Sequence, residues 1–532
     1  MVGDEAGKAI NSADADGTVA IGYQAGTAIT SGQRSALVGY QAGDSITTGA
    51  YNVGIGYETL VALTDGNSNV AIGTQAGMRA AGADNKIIIG YQAGIQIRSG
   101  GSNIIIGYRA LDGGNMSNNT AIGYESLTAS DGTGMNLALG FYTLHKLVKG
   151  GSTTALGNYA GQYATGSYNT FVGHEAGKGG TTSAPFSAGE QNTAVGYQAL
   201  KSFTNSEGGL NTVIGYQAGQ SVQDGNANTY LGSRAGQANA VGDANLAIGD
   251  RALYSDTSGH RSIAIGKDAL HNFSGSGTTT YNSDITKNIA IGYHAAYNMG
   301  SVPGGSFPNA TRSSNNIVIG YEAAYTHYDG GSNIVIGTTA LKGIGNHAQA
   351  SVHIGESSGA NVASGSYNVA VGAYTHRYAT GSYNTFVGYK DGTGGTTSAP
   401  FSSGASNTAL GYQALTVFTT GYSNTVIGKS AGDAITTGYN NSIMGESAGT
   451  ALTTGFGNVM IGRLAGYAST DVDKTVIIGE QAAYTGNMTS AADGTVSIGS
   501  GAGKNITSGQ ANVSVGFNAL TTEDTGDFNT AI

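Results

Sequence analysis

The residues best suited to acid–base or metal chemistry in this chain are its glutamates, aspartates and nine histidines. Cleaving a polysaccharide needs two carboxylates facing each other across a groove. Glu58, Glu125, Glu175, Glu322 and Glu446 instead occur singly, with no carboxylate partner at a repeated spacing. His347 and His353 are six residues apart and no His-x-His pair occurs, so the histidines predict no metal site. Asp14-Ala15-Asp16-Gly17 resembles the start of a calcium loop but lacks the downstream glutamate. Gly499-Ser500-Gly501-Ala502-Gly503-Lys504 lacks the spacing and the following helix of a phosphate loop. Scattered Ser, Asp and His residues have no strand–elbow–helix context for a triad. With no cysteine, disulfide, iron–sulfur and thiolate–zinc chemistry are unavailable. The expectation is a non-enzyme without catalytic residues, cofactor or metal.

The dominant pattern is a repeat. A glycine ending an Asn-x-Ala-Ile-Gly phrase recurs from Gly3 through Gly22, Gly39, Gly56, Gly73 and Gly90 to Gly516. There are 29 such anchors, and 17 of the 28 intervals between them equal 17, as from Gly22 to Gly39. So short a period over a whole chain predicts a solenoid rather than a set of globular domains. Glycine contributes 90 of 532 residues, but with 4 prolines and no three-residue period the chain is not collagen-like. Charged residues are 11%, which with the strict Ile/Val/Ala/Tyr rhythm argues for order over disorder. A net charge of −10 argues against a nucleic-acid partner. No apolar run approaches the roughly 20 residues of a membrane span, so no membrane insertion is expected. Met1 falls inside a repeat and Asn529-Thr530-Ala531-Ile532 stops one residue short of a glycine. That suggests a segment of a longer polypeptide.

Numbering each coil from its anchor as zero, position −1 is apolar in all 29 coils, as in Ile21, Ile72, Ile248 and Ile427 before Gly22, Gly73, Gly249 and Gly428. Position −4 is Asn in 20 of 28 coils, including Asn52, Asn211 and Asn424. Position +1 is Tyr or Phe in 14 of 29. The β-rich stretch from −3 to +2 is predicted to be a strand. By alternation, the −1 Ile and +1 Tyr share one face, and the small side chain at −2 and the anchor share the other. Neither face carries charge, so both should be covered. The expectation is that the Ile/Tyr side packs on a second strand of the same coil, formed by segments such as Ala28–Gly32. The Ala/Gly side then approaches sister copies at a crowded axis, giving a homotrimer. The alternative is a single-chain solenoid with a narrow interior. The −4 asparagines should share amide hydrogen bonds along the stack. At about 4.8 Å per coil the rod would be on the order of 140 Å long.

The fold expected is therefore all-β, one continuous parallel β-roll or β-solenoid of about 29 coils over 1–532. Insertions near 178–191, 271–287, 297–315 and 393–406 should loop out. Two of them carry the same text, Gly179-Gly180-Thr181-Thr182-Ser183-Ala184-Pro185-Phe186-Ser187 and again Gly394 to Ser402. Pro185, Phe186, Pro400 and Phe401 are candidate surface-contact residues. The alternative is that the phenylalanines fold back and cap the interrupted coil.

Asn211-Thr212-Val213-Ile214-Gly215-Tyr216-Gln217-Ala218-Gly219, with its relatives at Asn192 and Asn407, resembles the head repeats of trimeric autotransporter adhesins. It is more similar still to 17-residue repeats of tail-fibre proteins of environmental bacteriophages. The resemblance covers essentially the whole chain. It implies a left-handed parallel β-roll wound as a trimer and an extracellular fibre that reaches a cell surface. The autotransporter repeat is usually shorter, and the neck, stalk and membrane anchor of that family are not seen. The function implied is a tail-fibre shaft presenting a tip that binds a host glycan or protein receptor. Alternatives are the head of a bacterial surface adhesin and, more remotely, a β-solenoid depolymerase.

Overall fold

The computed structural model describes the chain except residues 11–14, 83, 130–133, 149, 181–186, 205–208, 274–286, 300–313, 328–329, 344–347, 363 and 396–401. Two compact units are present, Met1–Gly259 and His260–Ile532. The first holds strands β1 (Val19–Ile21) to β14 (Leu246–Ile248), and the second holds β15 (Ile263–Ile265) to β29 (Thr530–Ala531). Each unit is a parallel β-solenoid. Nearly every strand is three residues long, positions −3 to −1, and pairs in parallel with the same positions of the next coil. Val19, Ala20 and Ile21 face Ala36, Leu37 and Val38, for example. Register survives the long intervals. Thr170 pairs with Thr193, Ile263 with Ile289, Ile289 with Ile317 and Thr385 with Thr408. Most of the inserted residues themselves lie outside the described residues.

Strands are short because the anchor glycine ends them. Gly22 and Gly73 have φ of +127° and +130°, a region L side chains avoid. A Cβ at Gly73 would lie 2.5 Å from the carbonyl oxygen of Gly90, the next anchor. The invariant glycine is thus set by rung-to-rung contact within one chain. Among the described residues only β21 (Thr385–Tyr389) and β22 (Thr408–Tyr412) continue past their anchors.

The two faces are reversed from the sequence expectation. Position −2 points into the coil's own interior: Ala20, Leu37, Ile88, Phe171, Tyr230 and Phe386 are completely buried. Positions −3, −1 and +1 point outward. Ile21 is 40% and Tyr23 42% exposed. No second strand exists among the described residues. Segments such as Ala28–Gly32 are irregular and bent, held to the next coil by bonds such as Thr30 N–H to the Thr47 carbonyl at 3.0 Å. The Ile/Tyr side therefore has nothing of its own coil to cover it. A coil this narrow selects small side chains at position −2 for its own packing, which is why Ala and Gly there misleadingly suggest an intermolecular axis.

Interior volume is balanced between −2 and +4. Where −2 is Ala, +4 is often Leu, as in Ala121/Leu127, Ala194/Leu200 and Ala409/Leu415, all buried. Where −2 carries a ring, +4 is glycine. A Cβ at Gly177 would meet Phe171 at 2.1 Å, and one at Gly236 would meet Tyr230 at 2.6 Å. Such compensation keeps the core at uniform density.

Candidate interaction surface

The site with chemical potential is the outward face, and the asparagine column holds it in register. Asn52 Oδ1 accepts Asn69 N–H at 3.0 Å and Asn69 Nδ2–H at 3.1 Å, while Asn52 Nδ2 donates to the Gly66 carbonyl at 2.8 Å. Asn211 accepts Asn228 N–H at 2.9 Å, and Asn424 accepts both Asn441 N–H and Nδ2–H. Lys86 occupies one position of this column. Burial lowers its ammonium to about 8, opposed by Asp84.

Outside this scaffold the +1 rings stack. Tyr23 and Tyr40 have centroids 5.2 Å apart, Tyr40 and Tyr57 5.1 Å. After Thr74 the stack resumes through Tyr91, Tyr108, Tyr124 and Phe141. In the second unit Tyr293 stacks on Tyr321 and Tyr389 on Tyr412. Further on, the column becomes charged, with Lys429 paired to Glu446 and Arg463 to Glu480. At +2, side-chain amides run alongside: Gln41 donates to Gln24 and Gln92 to Gln75, both at 2.9 Å. The sequence reading placed the Tyr ladder inside; it is half exposed. Of the predicted ladder residues, Ile21 and Ile72 are exposed and Ile248 and Ile427 half-buried, all on the outward side.

The single glutamates belong to ladders and pairs, not to a carboxylate dyad. Glu58 accepts Gln75, Glu322 pairs with Lys342, and Glu125 lies 3.9 Å from His145. Burial would raise the Glu175 carboxyl, but hydrogen bonds from Lys178, Lys201 and Gln198 outweigh it and hold it at about 2. Lys504 of the glycine-rich run lies over the Tyr484 ring at 5.8 Å. Pro185, Phe186, Pro400, Phe401, Asp14 and His347 lie outside the described residues. What is described is how the duplicated insertions rejoin the coil: Ser187 Oγ accepts Gly180 N–H, and Ser402 Oγ accepts Gly395 N–H, both at 2.8 Å.

Sequence reasoning missed a buried histidine pair. His353 (−2) and His376 (+4 of the next coil) are fully buried, with ring centroids 5.7 Å apart. Their ring nitrogens have no hydrogen-bond partner. Burial drives both imidazoles toward neutrality, His376 to about 3 and His353 well below the usual value, the latter helped by His376 and His327. The −2/+4 volume rule is the signal that would have found the pair. Elsewhere Asp268 lies 3.4 Å from both His271 and His294. Among the described residues no group of three or more His, Asp or Glu is arranged to hold a metal ion. No helix of the described residues is long and apolar enough to cross a membrane.

No model of a known protein family matches this chain, and no curated protein matches it.

Proposed function

We propose that the protein is a structural and adhesive fibre segment, a bacteriophage tail-fibre shaft that presents a host receptor-binding tip, wound as a left-handed homotrimer outside the cell. The observation that carries the self-association is the uncovered apolar stripe formed by positions −3, −1 and +1. In one coil Val19, Ile21 and Tyr23 are each 40% exposed or more, and position −1 is apolar in every coil of both units, although +1 turns charged from Lys429 to Glu480. A monomeric soluble protein rarely leaves large apolar patches of this kind in water. Covering the exposed part of two or three such side chains would contribute roughly 2–3 kcal/mol per coil and chain. The sister copies therefore meet on the Ile/Val/Tyr side, not on the Ala/Gly side. The fibre reading rests on the repeat resemblance together with rungs that bond only to their neighbours. The host receptor is a cell-surface glycan or protein.

Two measurements test this. Sedimentation equilibrium of the purified chain should give three times the chain mass; a monomer at micromolar concentration overturns the trimer. Antibodies raised against the segment should decorate tail fibres of intact virions. Decoration of a bacterial surface in the absence of phage overturns the virion assignment in favour of an adhesin head.

A further inference from the structure

Five residues before the anchor most coils carry a small or polar residue, but two successive coils carry tyrosine. There Tyr367 stacks on Tyr383 of the following coil, with centroids 5.2 Å apart and planes 5° from parallel. On the other side the stack stops. The preceding coils carry Ala350 and Ser332 at the same position. In place of another ring there is a groove of about 320 Å³ lined by Gly331, Ser332, Gln349, Ala350 and Tyr367. Tyr367 lines one side of that groove, and the residue is 53% exposed.

At Tyr51, in the same position of its own coil, Arg34 lies over the ring at 5.5 Å and also donates to its hydroxyl. No cation lies over Tyr367 among the described residues. The backbone below is already paired: Ala350 N–H bonds the Gly331 carbonyl at 3.0 Å, and Tyr367 N–H the Gln349 carbonyl at 2.9 Å. The groups left to meet a ligand are the Ser332 hydroxyl, the Gln349 amide and the Tyr367 hydroxyl. No lining residue is charged.

We propose that this groove binds a neutral pyranose ring, one sugar unit of a surface polysaccharide. The negative face of an aromatic ring attracts the weakly positive C–H face of a sugar. At about 320 Å³ the groove is at the small end of ligand sites and suits one or two such rings. Ser332 and Gln349 supply both donors and acceptors for ring hydroxyls. Lack of charge in the lining disfavours uronic or phosphorylated sugars, whose charge would go unpaired. The proposal deepens the adhesive reading by naming a lateral ligand, but it holds for a virion fibre or a bacterial adhesin alike.

The test is saturation-transfer NMR on the full chain with methyl glucoside, methyl galactoside, methyl mannoside and, as the charged probe, methyl glucuronoside. Transfer to the C–H face of at least one neutral glycoside is expected. Tyr367→Ala should weaken it at least tenfold. Ala350→Tyr should do the same by continuing the stack, because φ at Ala350 is +47°, the left-handed region where Tyr51, Tyr367 and Tyr383 already sit. That variant should melt at or above the parent temperature, which separates a filled groove from a misfolded rung. No transfer to any neutral glycoside overturns the proposal. So does undiminished transfer in Ala350→Tyr, or glucuronoside binding as strong as the best neutral probe. A matching oligosaccharide binding more tightly than the monosaccharide supports a polymer as the source; equal affinity refutes the polymer part.

Discussion

Replacing Asn441 by alanine isolates the contribution of one rung of the amide column. Asn441 Nδ2 donates to Asn424 Oδ1 at 3.0 Å and to the Gly455 carbonyl at 2.8 Å. Its Oδ1 accepts Asn458 N–H and Nδ2–H, both at 3.0 Å. Alanine removes all four bonds and leaves the buried Asn458 N–H without an acceptor. An orphaned buried donor costs roughly 1–3 kcal/mol and each of the four lost bonds about 0.5–1.5, so a total of at least about 3 kcal/mol is expected. Serine provides the internal control. At native serine positions of this column, Ser35 Oγ accepts Asn52 N–H at 3.2 Å and Ser351 Oγ accepts Asn368 N–H at 3.1 Å. Asn441→Ser should therefore keep the following rung's donor satisfied and cost about 1–2 kcal/mol. Amide hydrogen exchange across residues 436–462 is the appropriate assay, because a repeat protein opens locally and a global melting point averages that away. A difference of about 2 kcal/mol appears as roughly thirtyfold faster exchange in the alanine variant than in the serine one. Equal exchange in the two variants would refute the acceptor role of the column.

Substitutions on the two faces should behave oppositely. Ala71→Asp places a charge in the interior and should open its coil, at a cost of at least about 3 kcal/mol, whereas Ile72→Asp should leave exchange protection intact and weaken self-association in sedimentation. Loss of protection in both would contradict the face assignment. Gly73→Ala combines a forbidden φ with contact on the Gly90 carbonyl, so a loss of about 2–4 kcal/mol is expected, read as exchange of the 70–90 segment; a neutral result would mean the rung spacing is soft. Acid should loosen the coils around His353 and His376. A base held neutral by the fold contributes fully above its unfolded value near 6.5 and loses that contribution as pH falls toward about 3, on the order of 1 kcal/mol per pH unit. Asp391 works the other way. Its carboxyl is raised by burial to about 6, against hydrogen bonds from Ala414 and Gly411, so its contribution is present below about 4 and fades as pH rises through 6. Two rings outweigh one carboxyl, so the net effect of acid is destabilising. His376→Leu, which reproduces the Ala/Leu pairing of other coils with Ala370, should flatten the pH dependence of protection over 352–392; an unchanged slope would rule the pair out as its origin.

Strand position, parallel register and the asparagine column were legible because each depends on a repeated residue type at a fixed offset. Ile21, Gly22 and Asn52 announce a rung without any knowledge of the third dimension. Which side of that rung was inside was not legible. Alternation separates Ala20 from Ile21 but assigns neither to the interior when both faces lack charge, and size pointed the wrong way. The turn at the anchor explains the missing second strand, and its φ is a backbone property that glycine permits without specifying. The Tyr367/Tyr383 pair escaped notice because that offset is mostly small or polar, so two tyrosines there form no column along the chain. The His353/His376 pair spans two different offsets in successive coils, so no single column displays it.

Among the described residues, the strand pairings and column amide bonds of a rung are made with the rungs directly before and after. Deleting or duplicating one whole coil of the common length therefore leaves no donor unmatched, while a change of any other length must be accommodated as a bulge on the edge. Unequal recombination between such similar repeats would generate solenoids of graded coil number with no new folding problem to solve. The near-identical text that begins at Gly179 and again at Gly394 shows that longer stretches of this chain are repeated as well.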